Sequence, residues 1–119
     1  MTALTSGGST TDATSFTPAS ITPTGNRLVA VAVNNRGATA ATPTLSGNGL
    51  TYVQVATQLY PAGGGRRITL FRALGASPTA GVITIDFGGV TQGSTTWSVV
   101  EFGDVDTSGT DGSGAVVQS

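Results

Sequence analysis

The residues best suited to chemistry lie in one acidic stretch, residues 104–111. Asp104, Asp106 and Ser108 place oxygen ligands at alternating positions, and a glycine follows them. This spacing is typical of the first half of a calcium-binding loop, whose first, third and fifth positions supply ligands. Asp111 adds another carboxylate. The sequence therefore predicts a candidate calcium site formed by Asp104, Asp106, Ser108 and Asp111.

A solvated turn explains the same stretch without a metal. Ala115 stands where a calcium loop of this type has its bidentate glutamate, and no helices are expected on either side. Aspartate and serine also cap backbone amides in turns, where glycine supplies the positive φ. Our primary expectation is that the protein has no cofactor, and calcium is the alternative.

Three aromatic side chains, Trp97, Tyr52 and Tyr60, form the second group that is able to bind a ligand. Aromatic faces stack on sugar rings, so a shared platform would indicate a glycan-binding module. Scattered aromatic residues more often pack in the core of a small domain. Glycan binding by these residues therefore belongs to an alternative interpretation of the function.

The composition removes most catalytic chemistry. The chain of 119 residues contains no histidine and no cysteine, which excludes the commonest general base, thiol nucleophiles and metal sites built on either residue. A glycosidase needs two cooperating carboxylates, and none are clustered outside the acidic stretch. We predict that the protein is not an enzyme.

The charges also exclude some partners. The net charge is −1, there is no lysine, and five arginines are dispersed, so no nucleic-acid partner is expected. Asp86 and Glu101 are expected to pair with Arg72 or Arg27 across neighbouring strands, and we favour this role of the arginines over anion binding. No apolar run approaches the ~20 residues of a membrane helix and no signal-peptide pattern is present, so no membrane partner is expected.

Short strands are the elements that must position these groups. Apolar residues alternate or run together, between glycine, asparagine and proline turn signals, in residues 28–33, 50–60, 66–73, 82–87 and 95–102. Residues 1–13 are rich in threonine, serine and glycine and are expected to form an N-terminal arm or linker. Residues 14–119 are predicted to form one all-β domain. We expect an antiparallel β-sandwich of jelly-roll or immunoglobulin-like type, with about six to eight strands.

Several segments resemble an uncharacterised group of β-sandwich domains found in phage structural proteins and in bacterial surface or secreted proteins. The similar segments are residues 26–33, 45–51, 67–72, 77–81, 97–102 and 106–109. The resemblance implies a virion or extracellular location, and it carries over no catalytic residues. Members of the group have further strands after the stretch similar to residues 114–119, so the last sheet of this chain is expected to be incomplete.

The predicted assembly site lies at that incomplete sheet. Ala115, Val116, Val117 and Gln118 are expected to begin a last apolar strand, which no charge or proline protects. A neighbouring subunit can pair with such an edge by strand addition or arm exchange. We therefore expect a structural module of a virus particle (capsid, decoration or tail) or of an extracellular appendage, with copies of itself or other structural subunits as partners. A carbohydrate-binding or adhesion module of a secreted or surface protein is the alternative.

Overall fold

The computed structural model describes residues 1–60 and 65–116, and its regular elements are all strands. In chain order they are β1 (Thr2–Ser9), β2 (Ser15–Phe16), β3 (Leu28–Arg36), β4 (Thr44–Ser46), β5 (Val53–Tyr60), β6 (Arg66–Ala73), β7 (Thr84–Asp86) and β8 (Ser94–Phe102). Within those two ranges, no helix has the length and apolar character that a membrane span requires.

The strands form two antiparallel sheets, which confirms the predicted all-β sandwich. The larger sheet has the order β1-β8-β3-β6-β5, and the smaller has the order β2-β7-β4. The pairing is nested, since β1 pairs with β8, β2 with β7 and β3 with β6. Such nesting is the arrangement of a jelly roll. β5 departs from it, because it pairs with β6 and extends the larger sheet.

β3 is the middle strand of the larger sheet, and its alternation defines the two faces of that sheet. Val29, Val31 and Val33 are buried on the inner face, whereas Ala30 and Ala32 are half-buried on the outer face. Successive side chains of a strand point to opposite faces, and β-branched valines pack well on a pleated surface. The inner face therefore meets the smaller sheet, and the outer face points away from it.

The core lies between the two sheets. Phe16 and Phe87 meet edge to face there, with ring centroids 5.8 Å apart, which is a favoured geometry for aromatic pairs. The other buried apolar members come from both sheets, from the bridge at Ile21 and from Ile83 just before β7: Ile21, Val29, Val31, Val33, Phe71, Ala73, Ile83, Ile85 and Val99. Burial of these side chains supplies the main driving force for folding.

The N-terminal segment forms a strand where an arm or linker was expected. Thr2–Ser9 pair with β8 as the edge strand β1. Gly8 lies opposite Thr96, and a Cβ on Gly8 would come within 2.8 Å of the Thr96 side chain. An edge strand is held by backbone hydrogen bonds and buries few side chains. This segment can therefore form a strand although its sequence has no apolar periodicity.

The prediction of a last strand at residues 115–118 is wrong for the two of these residues that the structure describes. Ala115 lies in a turn and Val116 lies outside any strand, while Val117 and Gln118 fall outside the described residues. Gly112 has a φ of 86°, and a Cβ at this position would come within 2.9 Å of the Leu28 side chain. The amide of Ala115 donates to the carbonyl of Gly112 at 3.1 Å. In this turn the amide of Ala115 is bonded locally, so it is not available to pair with a strand of the sheet.

Candidate functional site

A polar cleft with a volume of about 230 Å³ lies at one end of the outer face of the larger sheet. Antiparallel register brings its residues together, since Arg36 on β3 lies opposite both Arg66 on β6 and Ser94 on β8. Tyr60 on β5 lies opposite Arg66. The full lining is Asn34, Asn35, Arg36, Tyr60, Arg66, Ser94 and Thr96. We call this site the arginine cleft.

Strand alternation decides which arginines reach the cleft. Arg66 is exposed on the outer face, whereas the next residue, Arg67, is half-buried on the inner face. The Arg67 Nε donates to the carbonyl of Ala40 at 2.9 Å, and its Nη1 donates to the hydroxyl of Thr57 at 2.9 Å. Arg67 is therefore held by the fold, and Arg66 remains available to a ligand.

Arg36 and Arg66 concentrate positive charge in the cleft. Within the described ranges, the one ion pair joins Arg27 to Glu101, with 3.9 Å between nitrogen and oxygen. This contact confirms one of the expected cross-strand pairs, while Asp86 makes no ion pair with Arg72 in the same part of the chain. Arg36 and Arg66 face each other as Cα partners on adjacent strands. Like charges in that relation destabilise a sheet, and an anion between them would relieve the repulsion.

The other residues that line the cleft add neutral hydrogen-bonding groups. The hydroxyl of Tyr60 donates to the amide oxygen of Asn34, so the amide nitrogen of Asn34 remains a donor. Ser94 and Thr96 contribute hydroxyls. The lining contains no carboxylate that could act as a general base. The arrangement is suited to binding an anionic, hydroxylated ligand.

A buried amide pair lies beneath the cleft. Asn35 and Gln92 are 1% and 0% exposed, and the Asn35 Nδ2 donates to the Gln92 Oε1 at 2.8 Å. Asn35 also donates to the carbonyl of Ala41, and Gln92 donates to that of Thr39. These bonds tie β3 to the two loops beside it. Buried polar groups that are hydrogen-bonded in this way help to specify one structure.

The three predicted aromatic binding residues do not form one platform. Trp97 and Tyr52 are half-buried and pack against the core, and the Tyr52 hydroxyl donates to the Oδ1 of Asn48 at 3.0 Å. Burial raises the pKa of Tyr52 to about 12. Tyr60 lies on the outer face of the sheet, in the arginine cleft. Of the three, only Tyr60 reaches that site.

The acidic stretch adopts a turn in the structure. Asp106 accepts a hydrogen bond from the backbone amide of Ser108 at 2.9 Å. Hydrogen bonds from the hydroxyl and amide of Ser108 hold the pKa of Asp106 below its usual range. Asp104 and Asp111 both have positive φ, 54° and 51°. Across residues 1–60 and 65–116, no three carboxylates are grouped so that they could hold a metal ion.

An apolar groove with a volume of about 260 Å³ occupies the same outer face, farther along the strands. Leu70 in its wall is 42% exposed, and the neighbouring Ile68 is 38% exposed. Val116 reaches this groove from the turn that follows β8. The wall also includes Leu28, Ala30, Ala32, Val55, Arg72, Ser98 and Val100. The outer face thus has a cationic end and an apolar part.

No protein-family model, curated protein or solved structure matches this chain. The resemblance to phage and surface β-sandwich domains stays a prediction. The candidate site is therefore defined by its geometry and by the chemistry of its side chains.

Proposed function

We propose that the protein is a non-catalytic structural module that assembles through the edge strands of its larger sheet. The edges of that sheet are β1 and β5. Each strand has eight residues, and neither contains a charged residue or a proline. Natural proteins use charges and prolines to prevent edges from pairing with other chains. These two edges, which carry no charge and no proline, are the observation that carries the proposal.

Each edge has one regular stretch on which a second chain can pair. The register of β1 shifts between Ala3 and Thr5, and that of β5 shifts between Gln54 and Ala56. Residues 5–9 and 56–60 keep regular pairing with their inner neighbours. The outward backbone N–H and C=O groups of such stretches form a ladder when a partner strand adds to them. Pairing of like edges would close a dimer, and pairing of β1 with β5 would extend a chain of copies.

The partners that we propose are copies of this chain or other structural subunits of a virus particle or extracellular appendage. Nested jelly-roll pairing is used by capsid domains as well as by lectins, which supports this proposal by analogy of fold. The low charged content, 9% of residues, also supports it, because few charges would lose water when two sheets join.

Lysine substitutions on exposed edge positions test the proposal. Ser6→Lys in β1 and Gln58→Lys in β5 place a charge on one edge each, and both positions are exposed. We expect the wild type to form dimers or longer assemblies in light scattering and electron microscopy. The substitution on an edge that pairs should shift this population toward monomer by at least about tenfold in dissociation constant, since blocking that edge removes a ladder of hydrogen bonds. If only like edges pair, one substitution has this effect, and if β1 pairs with β5, both do.

Ser98→Lys is the matched control. Ser98 is exposed on β8, lies opposite Ser6, and belongs to a strand that is paired on both sides. This variant adds the same charge without blocking an edge, so its assembly should equal that of the wild type. A monomeric wild type at all concentrations would contradict the proposal. Loss of assembly in Ser98→Lys alone would place the contact on the outer face and contradict the edge mechanism.

A further inference from the structure

The two guanidinium groups of the arginine cleft point to a ligand. Arg36 and Arg66 are exposed Cα partners on adjacent strands, and neither has a carboxylate partner among the described residues. A guanidinium presents two parallel N–H donors that match the two oxygens of a carboxylate. We infer that the arginine cleft binds an acidic saccharide through its carboxylate, an activity that goes beyond assembly through strand edges.

The other groups in the cleft match a sugar ring. Asn34 offers an amide, Ser94 and Thr96 offer hydroxyls, and Tyr60 offers a ring and a hydroxyl. Such groups can donate to and accept from the hydroxyls of a pyranose. The volume of about 230 Å³ is below the roughly 300–1,000 Å³ of sites for drug-sized ligands. The cleft therefore suits one uronate-type unit, either alone or within a glycan.

The cleft is built on strands that are fixed from below. The buried Asn35–Gln92 hydrogen bond, 2.8 Å long, anchors the end of β3 that carries Asn34 and Arg36. The contact from Tyr60 to Asn34 joins β5 to the same strand. Because the backbone of these groups is held in the sheet, it loses little conformational entropy when a ligand arrives. This preorganisation favours a small ligand that offers few contacts.

Asp12, which does not line the cleft, has a negative charge that would oppose an anion. The Oδ1 of Asp12 lies 3.3 Å from the position that a Cβ on Gly93 would occupy, and Gly93 precedes Ser94 of the cleft. Asp12 makes no ion pair with Arg36 or Arg66 in the part of the chain that the structure describes. Its charge raises the cost of bringing a second carboxylate close. The variant Asp12→Asn should therefore bind an acidic sugar more tightly than the wild type does.

Calorimetric titration of the full chain with a glucuronate-containing disaccharide tests the inference. Its neutral glucose analogue, sodium acetate and sodium sulfate serve as comparison ligands. We expect the uronate disaccharide to bind at least about tenfold more tightly than each of the other three, because only it offers both the carboxylate and the ring hydroxyls. Arg36→Gln and Arg66→Gln should each weaken uronate binding by about tenfold or more. Arg66→Lys, which keeps the charge but loses the planar donor pair, should fall between the wild type and Arg66→Gln.

Arg72→Gln is the matched control, since it removes one positive charge from the outer face of the same strand. Arg72 lies in the apolar groove, about 20 Å from Arg66 at roughly 3.3 Å per residue. This variant should change uronate binding less than twofold. Melting temperatures of all variants, compared with that of the wild type, verify that each one is folded.

Three results would overturn the inference. They are absence of uronate binding by the wild type, an equal loss in Arg72→Gln and Arg66→Gln, and equal binding of uronate and sulfate, which would indicate an adventitious ion only. The edge variants separate this inference from the proposed assembly. Ser6→Lys and Gln58→Lys should retain uronate binding whether or not they assemble, because their side chains do not line the cleft.

Discussion

The inner and outer faces of the larger sheet are built from the same strands, but their side chains have different surroundings. On β6, Phe71 is 4% exposed within the core, whereas the preceding residue, Leu70, is 42% exposed on the outer face. On the same strand Arg67 is hydrogen-bonded to the fold, whereas Arg66 lines the cleft. A single residue step thus separates side chains that stabilise the sandwich from side chains that can meet a ligand. Residue type alone assigns neither role.

The largest expected difference between the two faces concerns the neighbours Phe71 and Leu70. Phe71→Ala should lower the free energy of unfolding by about 3–5 kcal/mol, because it opens a cavity in the core. Leu70→Ala should cost about 1 kcal/mol or less, because much of that side chain already contacts water. Urea unfolding of both variants, at a concentration where the wild type is monomeric, measures the difference. Equal losses would mean that the two faces are buried alike.

The adjacent residues Asn35 and Asn34 give the next largest difference. Asn35→Ala removes hydrogen bonds to Gln92 and to the carbonyl of Ala41, and it leaves buried acceptors without their donor. We expect a loss of about 2–3 kcal/mol. Asn34→Ala removes the half-buried contact with Tyr60 and should cost about 0.5–1 kcal/mol. Thermal and urea unfolding can rank the pair, and a larger loss for Asn34→Ala would contradict the assignment of the faces.

The adjacent arginines provide a smaller contrast in stability. Arg67→Gln should lower the free energy of unfolding by about 1–2 kcal/mol, since two hydrogen bonds from a half-buried guanidinium are lost. Arg66→Gln should change it by less than about 0.5 kcal/mol, in the stabilising direction, because the repulsion from Arg36 disappears. Chemical unfolding at low ionic strength makes this sign clearest, since salt screens exposed charges. A clear destabilisation by Arg66→Gln would mean that Arg66 supports the fold.

The strands that bury a face could be predicted from the sequence, and the edge strand β1 could not. Residues 66–73 were predicted as a strand and form β6, and the predicted strand at 95–102 starts one residue after the beginning of β8. Both segments alternate as a strand does, although on β6 the apolar pair Ile68 and Leu70 repeats on the outer face while Phe71 meets the core. The segment Thr2–Ser9 has no regular apolar repeat. It forms a strand because its backbone pairs with β8. The residues of β1 alone therefore do not predict a strand, and its formation depends on pairing with β8.

The arginine cleft could not be predicted from the sequence because it depends on register between strands. Arg66 and Arg67 are adjacent in the sequence, and a structural role was expected for the arginines as partners of carboxylates. Alternation separates that pair, and the pairing of β3 with β6 brings Arg66 opposite Arg36. The available signal was the presence of polar residues at strand ends that meet in an antiparallel sheet. That signal becomes specific only when the strand order is known.

The smallest predicted effect concerns Tyr52, whose phenol packs on the core side. Burial raises its pKa to about 12, above the value of about 10 for an unfolded chain. The folded state therefore favours the neutral phenol. Its contribution to stability is fully present below pH ~10 and is lost as the pH rises through about 12. Because the side chain is only half-buried, solvent screening keeps this contribution small.

Replacement of the phenol tests whether Tyr52 makes stability fall as the pH rises above about 10. Tyr52→Phe keeps the ring but cannot ionise, so the advantage of the wild type in free energy of unfolding should shrink above pH ~10. Urea unfolding of both proteins between about pH 8 and 11.5 measures this change. Tyrosinate absorbance in a Tyr60→Phe background reports Tyr52 alone, since the chain has two tyrosines. A midpoint near 10 in the folded protein, or a constant difference in stability between the two proteins, would mean that the phenol of Tyr52 is as open to water as that of an unfolded chain.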